Sequence, residues 1–223
     1  MNRLFLYHHL GLGDHIICHG IVRTYAERYG PLAIFCKPQN LNSVASMYSD
    51  LDVWCIPKDD AEVLNFIKAN PNLNYKFIGF GQLNAQEPFD QQFYKLADVN
   101  FEARYKNFYC PESMRENTLF SVINPPEDYV LVHEDTSRGF SVTKLHTDLP
   151  VIHVNPVPGF SLTDYIKLAA AAKEIHVIDS SLMFFVDYTD RISKEVKLFV
   201  HRYARINPSW QLPTLNKNWS IIN

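Results

Sequence analysis

The stretch Leu4-Phe5-Leu6-Tyr7-His8-His9-Leu10-Gly11-Leu12-Gly13-Asp14-His15 constrains this chain most. An apolar run, two glycines one residue apart, an acidic residue and then the apolar periodicity of Ile16 to Tyr29 read as a strand, a tight turn and a helix start. That is the opening of a βαβ unit. Glycines suit such a turn because the chain reverses within a few residues and another molecule can approach the backbone at the helix N-terminus. Asp14 or Gly13 is expected to cap the helix. A plain tight turn with an aspartate cap would use the same residues, so the rest of the chain has to separate the two readings.

The pattern that follows is alternating. Leu32 to Cys36 reads as a second strand, Gln39 to Tyr48 as a helix, and Asp52 to Ile56 as a third strand. Asp59 and Glu62 form a capping-box pattern ahead of a helix running to about Ala69, and Tyr75 to Phe80 reads as a fourth strand. From Gly81 to Asn107 the pattern loosens, with a short helix at Gln91 to Ala97. The aromatics crowded there (Phe89, Phe93, Tyr94, Phe101, Tyr105, Phe108 and Tyr109) read as core rather than as a sugar platform. Pro111 to Val122 reads as a helix closing the first unit.

Pro125-Pro126 is stiff and cannot continue a helix, which places a domain boundary there: residues 1–124 in a first α/β domain, 125–223 in a second. The second half repeats the theme. Strands are expected at Tyr129 to His133, Val151 to Val154, Ile175 to Ile178 and, last, Glu195 to Val200. Helices are expected at Leu162 to Ala172, behind a Ser161–Asp164 capping box, and at Leu182 to Tyr188. The tail from Asn207 has no periodicity, and its tryptophans, Trp210 and Trp219, are expected to anchor it. Strands alternating with helices of about ten residues indicate parallel sheets covered by helices on both faces.

Composition narrows the function classes. With 21 basic and 24 acidic side chains the net charge of −3 provides no general attraction for nucleic acid or an anionic membrane. No apolar run approaches the roughly 20 residues of a membrane span, and no signal-peptide pattern opens the chain, so a cytoplasmic protein without an integral membrane segment is expected. Cys18, Cys36, Cys55 and Cys110 are spaced as buried free thiols rather than as a disulfide framework or metal site.

Three loops at carboxyl ends of expected strands hold the reactive side chains, and open parallel sheets bind ligands at that edge. They are His8 to His15, His133 to Arg138 and Asp179 to Ser181. Thr136, Ser137 and Arg138 suit phosphate oxygens, Arg138 through a bidentate guanidinium, unless it simply pairs with Glu134 or Asp135. Ser180 and Ser181 stand at a helix N-terminus, where free amides and the helix dipole favour an anion, unless a serine only caps the helix. Together the last two loops suggest a diphosphate. His15 and His19 have the i, i+4 spacing of a metal pair, but no Glu follows His15 as in zinc hydrolases and there is no Asp-x-Asp motif, so neither metal nor cofactor is expected.

The Gly11-Leu12-Gly13-Asp14-His15 turn after the first strand, with the later strand-to-Asp179-Ser180-Ser181-to-helix element, resembles the GT-B glycosyltransferases. The nearest groups are the heptosyltransferase-like enzymes and, more loosely, the fucosyltransferase-like ones. The late loop departs from their usual Asp-Thr-Gly. The resemblance implies two Rossmann-like parallel-sheet domains facing across a cleft, and transfer of a sugar from a nucleotide sugar to a glycan acceptor, as in polysaccharide biosynthesis. It places the acceptor-activating base on Asp14, with His9, Gly11 and Gly13 on the acceptor side. It places donor binding on His133, Asp135, Ser137, Arg138, Asp179, Ser180 and Ser181, with Lys144 assisting. The chemistry alone asks for a base and a positive environment for the departing diphosphate, and His15 rivals Asp14 as base because an imidazole titrates nearer neutrality. A catalytically silent nucleotide- or sugar-binding module and a nucleotide-sugar epimerase share the expected architecture.

Overall fold

A computed structural model describes residues 3–79, 82–84, 86–205 and 212–223. The chain divides into two compact units, Met1–Pro111 and Glu112–Asn223. In the first, the strands β1 (Leu4–Tyr7), β2 (Leu32–Cys36), β3 (Val53–Pro57) and β4 (Asn74–Phe77) form one parallel sheet in the order β3-β2-β1-β4. Helices α1 (Leu12–Ile17), α2 (His19–Tyr29), α3 (Leu41–Met47) and α4 (Asp60–Ala69) connect the strands, and α5 (Phe89–Leu96) and α6 (Ala103–Lys106) follow them. Strands β1 and β2 are buried throughout, as central strands covered on both faces must be. One face carries an aromatic core, Phe5, Tyr7 and Phe35, with Val63 and Phe66 of α4 packed on it and ring centroids 5.5–6.3 Å apart. Each such ring contributes ~1.5–3 kcal/mol on burial. The capping box at Asp59 and Glu62 is made in both directions, each bond 2.9 Å.

The expected continuous helix from Ile16 to Tyr29 is two helices broken at Cys18. The Tyr94 hydroxyl donates to the Ile17 carbonyl at 2.9 Å, and the Ile21 amide turns to the Cys18 carbonyl at 3.0 Å. A side chain that captures a helix carbonyl opens the ladder at that turn. Gly20 lies beside the break with the chain of α6 against it: a Cβ there would stand 2.3 Å from the Ala103 carbonyl oxygen. The cap also differs from expectation. Gly11, not Gly13 or Asp14, is the N-cap of α1. The aromatic segment is core at Phe93, Tyr94 and Phe108, while Tyr109 is exposed. Phe80 and Gly81 lie outside the described residues.

In the second unit, β5 (Val130–His133), β6 (Val151–His153), β7 (Glu174–Val177), β8 (Lys197–His201) and β9 (Trp219–Ile222) form a parallel sheet in the order β6-β5-β7-β8-β9. Around it lie α7 (Met114–Ile123), α8 (Ile166–Ala171) and α9 (Ser181–Tyr188). The division falls ahead of α7, where the double proline had suggested a boundary after it. Arg115 bonds Asp164 at 3.2 Å, Glu116 accepts from Arg191 at 2.9 Å, and Lys167 donates to Asn117 at 2.6 Å, all within the second unit. The fifth strand, β9, corrects the reading of Glu195 to Val200 as the last one. Buried Asp187 on α9 accepts the amides of Asn216 and Lys217 and the Trp219 indole N–H at 2.8–3.0 Å, which delivers the tail to the free edge of β8. Trp219 is the anchor expected of it; Trp210 lies outside the described residues. All four cysteines are free, and no described helix is long and apolar enough to cross a membrane.

Candidate functional site

In the first sheet the strand order reverses at β1, with β2 on one side and β4 on the other, and loops leaving the carboxyl ends of such neighbours flank the usual ligand crevice. Gly79, after β4, takes φ +98°, and a Cβ there would meet His9 Nε2 at 2.7 Å, so the His9 ring packs directly against this glycine. Gly11 has an ordinary φ of −65°. Its constraint is a different one: a Cβ would stand 2.5 Å from Asp14 Oδ2, so a larger residue displaces that carboxylate. The Asp14 carboxylate is drawn back over the turn, its Oδ2 beside Gly11. Burial raises its pKa, opposed by the backbone amides of the turn and by the neighbouring His9 and Lys37 side chains. A carboxylate so placed takes a proton more readily than one in water. Gly13 lies in the first turn of α1.

His15 is buried completely, with its ring against His8 at 4.5 Å, edge to face. Burial pushes His8 down to about 4 and His15 well below its ordinary value, so both are neutral at neutral pH. His19 is held elsewhere, stacked on Tyr48 at 4.8 Å and receiving the Arg23 Nε–H at 2.8 Å. The i, i+4 pair therefore has no common target, because the break at Cys18 lies between its members. Among the described residues no group of three His, Cys, Asp or Glu has metal-holding geometry.

The second sheet reverses between β5 and β7, whose adjacent ends are His133 and Val177. Here the two loops meet: Ser180 Oγ and His133 Nδ1 are 2.9 Å apart, and burial pushes His133 down to about 4 against the charges of Asp135 and Glu134. Ser180 is the N-cap of α9, yet its hydroxyl serves His133 and makes no capping bond. Ser181 is the first residue of that helix. Asp179 is buried, and its carbonyl accepts Arg205 Nη1 at 2.5 Å.

The loop after β5 closes on itself. Asp135 and Phe140 form an antiparallel bridge, Ser137 Oγ donates to Asp135 Oδ1 at 2.7 Å, and the exposed Arg138 pairs with the same carboxylate. These two donors hold the Asp135 carboxyl below the usual carboxylate range. Glu134 accepts the Val142 amide at 2.8 Å. Lys144 goes elsewhere, its ammonium 4.6 Å above the Tyr203 ring and bonded to the Asn223 carbonyl at 2.5 Å.

Arg205 is the residue that sequence reasoning missed. Its guanidinium lies 5.7 Å from the Phe140 ring centroid and that of Arg138 5.4 Å from it, so two cations share one aromatic ring beside the Asp179–Ser180 strand end. The signal was present: Arg205 follows the carboxyl end of a parallel strand, the rule that selected the other loops.

No protein-family model matches the chain. No curated protein matches it. Among solved structures it is similar to the glycosyl transferase family 9 protein of Veillonella parvula, 9% identical with a TM-score of 0.59, over 99% of this chain and 85% of that one. It is similar to the E. coli heptosyltransferase WaaC with ADP-2-deoxy-2-fluoro heptose, 14% identical with a TM-score of 0.52, over 98% and 92%. A third is the iron-containing dodecameric glycosyltransferase TibC of enterotoxigenic E. coli, 10% identical with a TM-score of 0.54; 90% of this chain spans 58% of that one. At these identities the likeness is one of fold: two parallel α/β units of the kind found in GT-B glycosyltransferases, the heptosyltransferases among them.

Proposed function

We propose that this chain is a glycosyltransferase moving a sugar from a nucleoside-diphosphate donor to a hydroxyl of a glycan acceptor. Asp14 is the base. It removes the acceptor proton as the oxygen attacks the anomeric carbon, the bond from that carbon to the diphosphate oxygen breaks, and the diphosphate leaves with its electron pair. His15, buried in the interior, is the weaker candidate. Donor phosphates are held by the loops after β5 and β7, with Ser180, Ser181 and the amide end of α9 as donors and Arg138 and Arg205 as cations. This cationic set supplies the charge for which some transferases use a metal ion. Four free thiols suit a reducing compartment such as the cytoplasm.

The observation that carries the reading is Asp14: a carboxylate raised by burial, with Oδ2 in the space a Cβ on Gly11 would need, at the strand end where the sheet order reverses. Thermal-shift measurements with UDP, GDP, ADP, CDP and an ADP-linked heptose are the first test, and stabilisation by none of them overturns the reading. Asp14→Asn is the second. It is expected to lower turnover by about 10²–10⁴, the usual worth of a general base, and to leave donor binding intact. The pairing of Arg138 with Asp135 favours a second reading, a binding module without turnover. That reading gains if donor is bound and wild type and Asp14→Asn are equally inert.

A further inference from the structure

The second unit contains a line of hydrogen bonds, buried at its centre, that the proposed chemistry does not use. The Tyr203 hydroxyl accepts two successive amides, Thr143 N–H at 2.7 Å and Lys144 N–H at 2.6 Å. It lies 3.1 Å from His201 Nδ1. His201 Nε2 lies 2.9 Å from His176 Nδ1, and His176 Nε2 lies 3.4 Å from Glu174 Oε2. His201 is fully buried, and His176 nearly so, stacked on Phe199 at 4.3 Å.

Every proton in this line is fixed by counting donors and acceptors. Lys197 bonds Glu174 at 2.9 Å and with it holds the carboxyl below its ordinary range, so Glu174 only accepts. His176 must then carry its proton on Nε2. A neutral His176 presents a lone pair at Nδ1, which His201 satisfies with its Nε2–H. The remaining lone pair, His201 Nδ1, takes the Tyr203 O–H, and the two phenol lone pairs take the amides. Both imidazoles are neutral near pH 7, because burial lowers His176 and pushes His201 down to about 4, assisted by Lys144. The polarity runs one way, from the Thr143–Lys144 segment to Glu174, and no member has an alternative partner in the line.

We propose that Tyr203, oriented through His201 and His176, is the positioning residue of the second unit's anion-binding edge. It clamps the Thr143–Lys144 segment and holds the Arg202–Arg205 segment so that Arg205 reaches the Asp179 carbonyl beside Ser180. The inference rests on the reading of that edge as the donor diphosphate site. Its physical basis is that Tyr203 and Arg205 belong to one short 3-10 turn after β8, so the phenol that fixes the turn also fixes the guanidinium. Protonation of either imidazole places two donors face to face within the line and releases the clamp.

The experiment combines side-chain 15N NMR, amide exchange and nucleotide binding on the full chain. In the wild type, both His176 and His201 are expected as Nε2–H tautomers, with the Thr143 and Lys144 amides protected. Tyr203→Phe keeps the ring under Lys144 and removes only the hydroxyl. It is expected to accelerate exchange of those two amides at least tenfold, to move the His201 pKa upward, and to weaken the nucleoside diphosphate that stabilises the wild type by threefold or more. His176→Asn, whose side-chain oxygen replaces Nδ1 as acceptor, is expected to restore protection and affinity that His176→Leu loses. An Nδ1–H tautomer at either histidine overturns the inference, and so does a Tyr203→Phe protein with wild-type amide protection and affinity. A wild type that binds no nucleoside diphosphate sinks the sugar-transfer reading and with it the aiming of Arg205 at a ligand, while the tautomers and amide exchange still decide whether the clamp exists.

Discussion

Gly11 and Asp14 act as a pair, and the pair is set by distance rather than by backbone strain. Because Gly11 has a φ open to any residue, Gly11→Ala is expected to fold with little loss of thermal stability. Its methyl would occupy the space of Asp14 Oδ2, 2.5 Å away, so the carboxylate has to rotate away from its position over the turn. Turnover is expected to fall at least tenfold while donor affinity holds; a Gly11→Ala enzyme with wild-type kcat would remove the pair from the mechanism. Arg205→Ala addresses the other edge. A charge-assisted contact is worth ~1.5–3 kcal/mol, so donor affinity is expected to drop by about tenfold or more, measured by titration calorimetry. At this scale the sequence was legible where a rule ties residue type to position, as for Ser180 at a helix start, whereas the cap expected at Asp14 or Gly13 falls on Gly11. It was silent on what each side chain would choose: Ser180 chose His133 over capping, Arg138 chose Asp135, and Lys144 chose the carboxyl-terminal strand.

Helix and strand boundaries followed local chemistry wherever local chemistry was sufficient. The capping boxes at Asp59–Glu62 and Ser161–Asp164 mark real starts, although the second opens through a 3-10 turn before α8. Two elements depended on partners far along the chain. The break between α1 and α2 exists because Tyr94 takes the Ile17 carbonyl, so Tyr94→Phe is expected to cost about 1–3 kcal/mol, read as a lower urea midpoint. Strand β9 exists because Asp187 gathers Asn216, Lys217 and Trp219. Asp187→Ala is expected to free it: amides of β9 lose exchange protection and Trp219 fluorescence shifts toward that of an exposed indole. Retained protection in β9 would assign its stability to pairing with β8 alone.

Across the whole molecule, buried histidines set the response to acid. His8, His133 and His201 are pushed down to about 4 and His19 to about 3, in each case chiefly by burial. The unfolded chain binds these protons near pH 6.5 and the folded chain does not, so stability is full above that pH and falls as pH drops from about 6.5 toward 4. Each such group contributes ~1.4 kcal/mol per pH unit in that window. Acid unfolding is therefore expected to begin above the carboxylate range, and a Tm that stays level from pH 7 to pH 5 would contradict it. The sequence by itself determined the alternation of strands and helices and the two parallel sheets, because period and capping are local properties of consecutive residues. Tertiary structure alone decided that α7 joins the second unit, that the tail becomes a fifth strand, that Arg205 reaches the Asp179 carbonyl and that Tyr203 is linked to Glu174 through two histidines. Each of these rests on a bond between residues far apart in the chain or on a packing choice among equivalent partners, and spacing along a sequence carries no record of either.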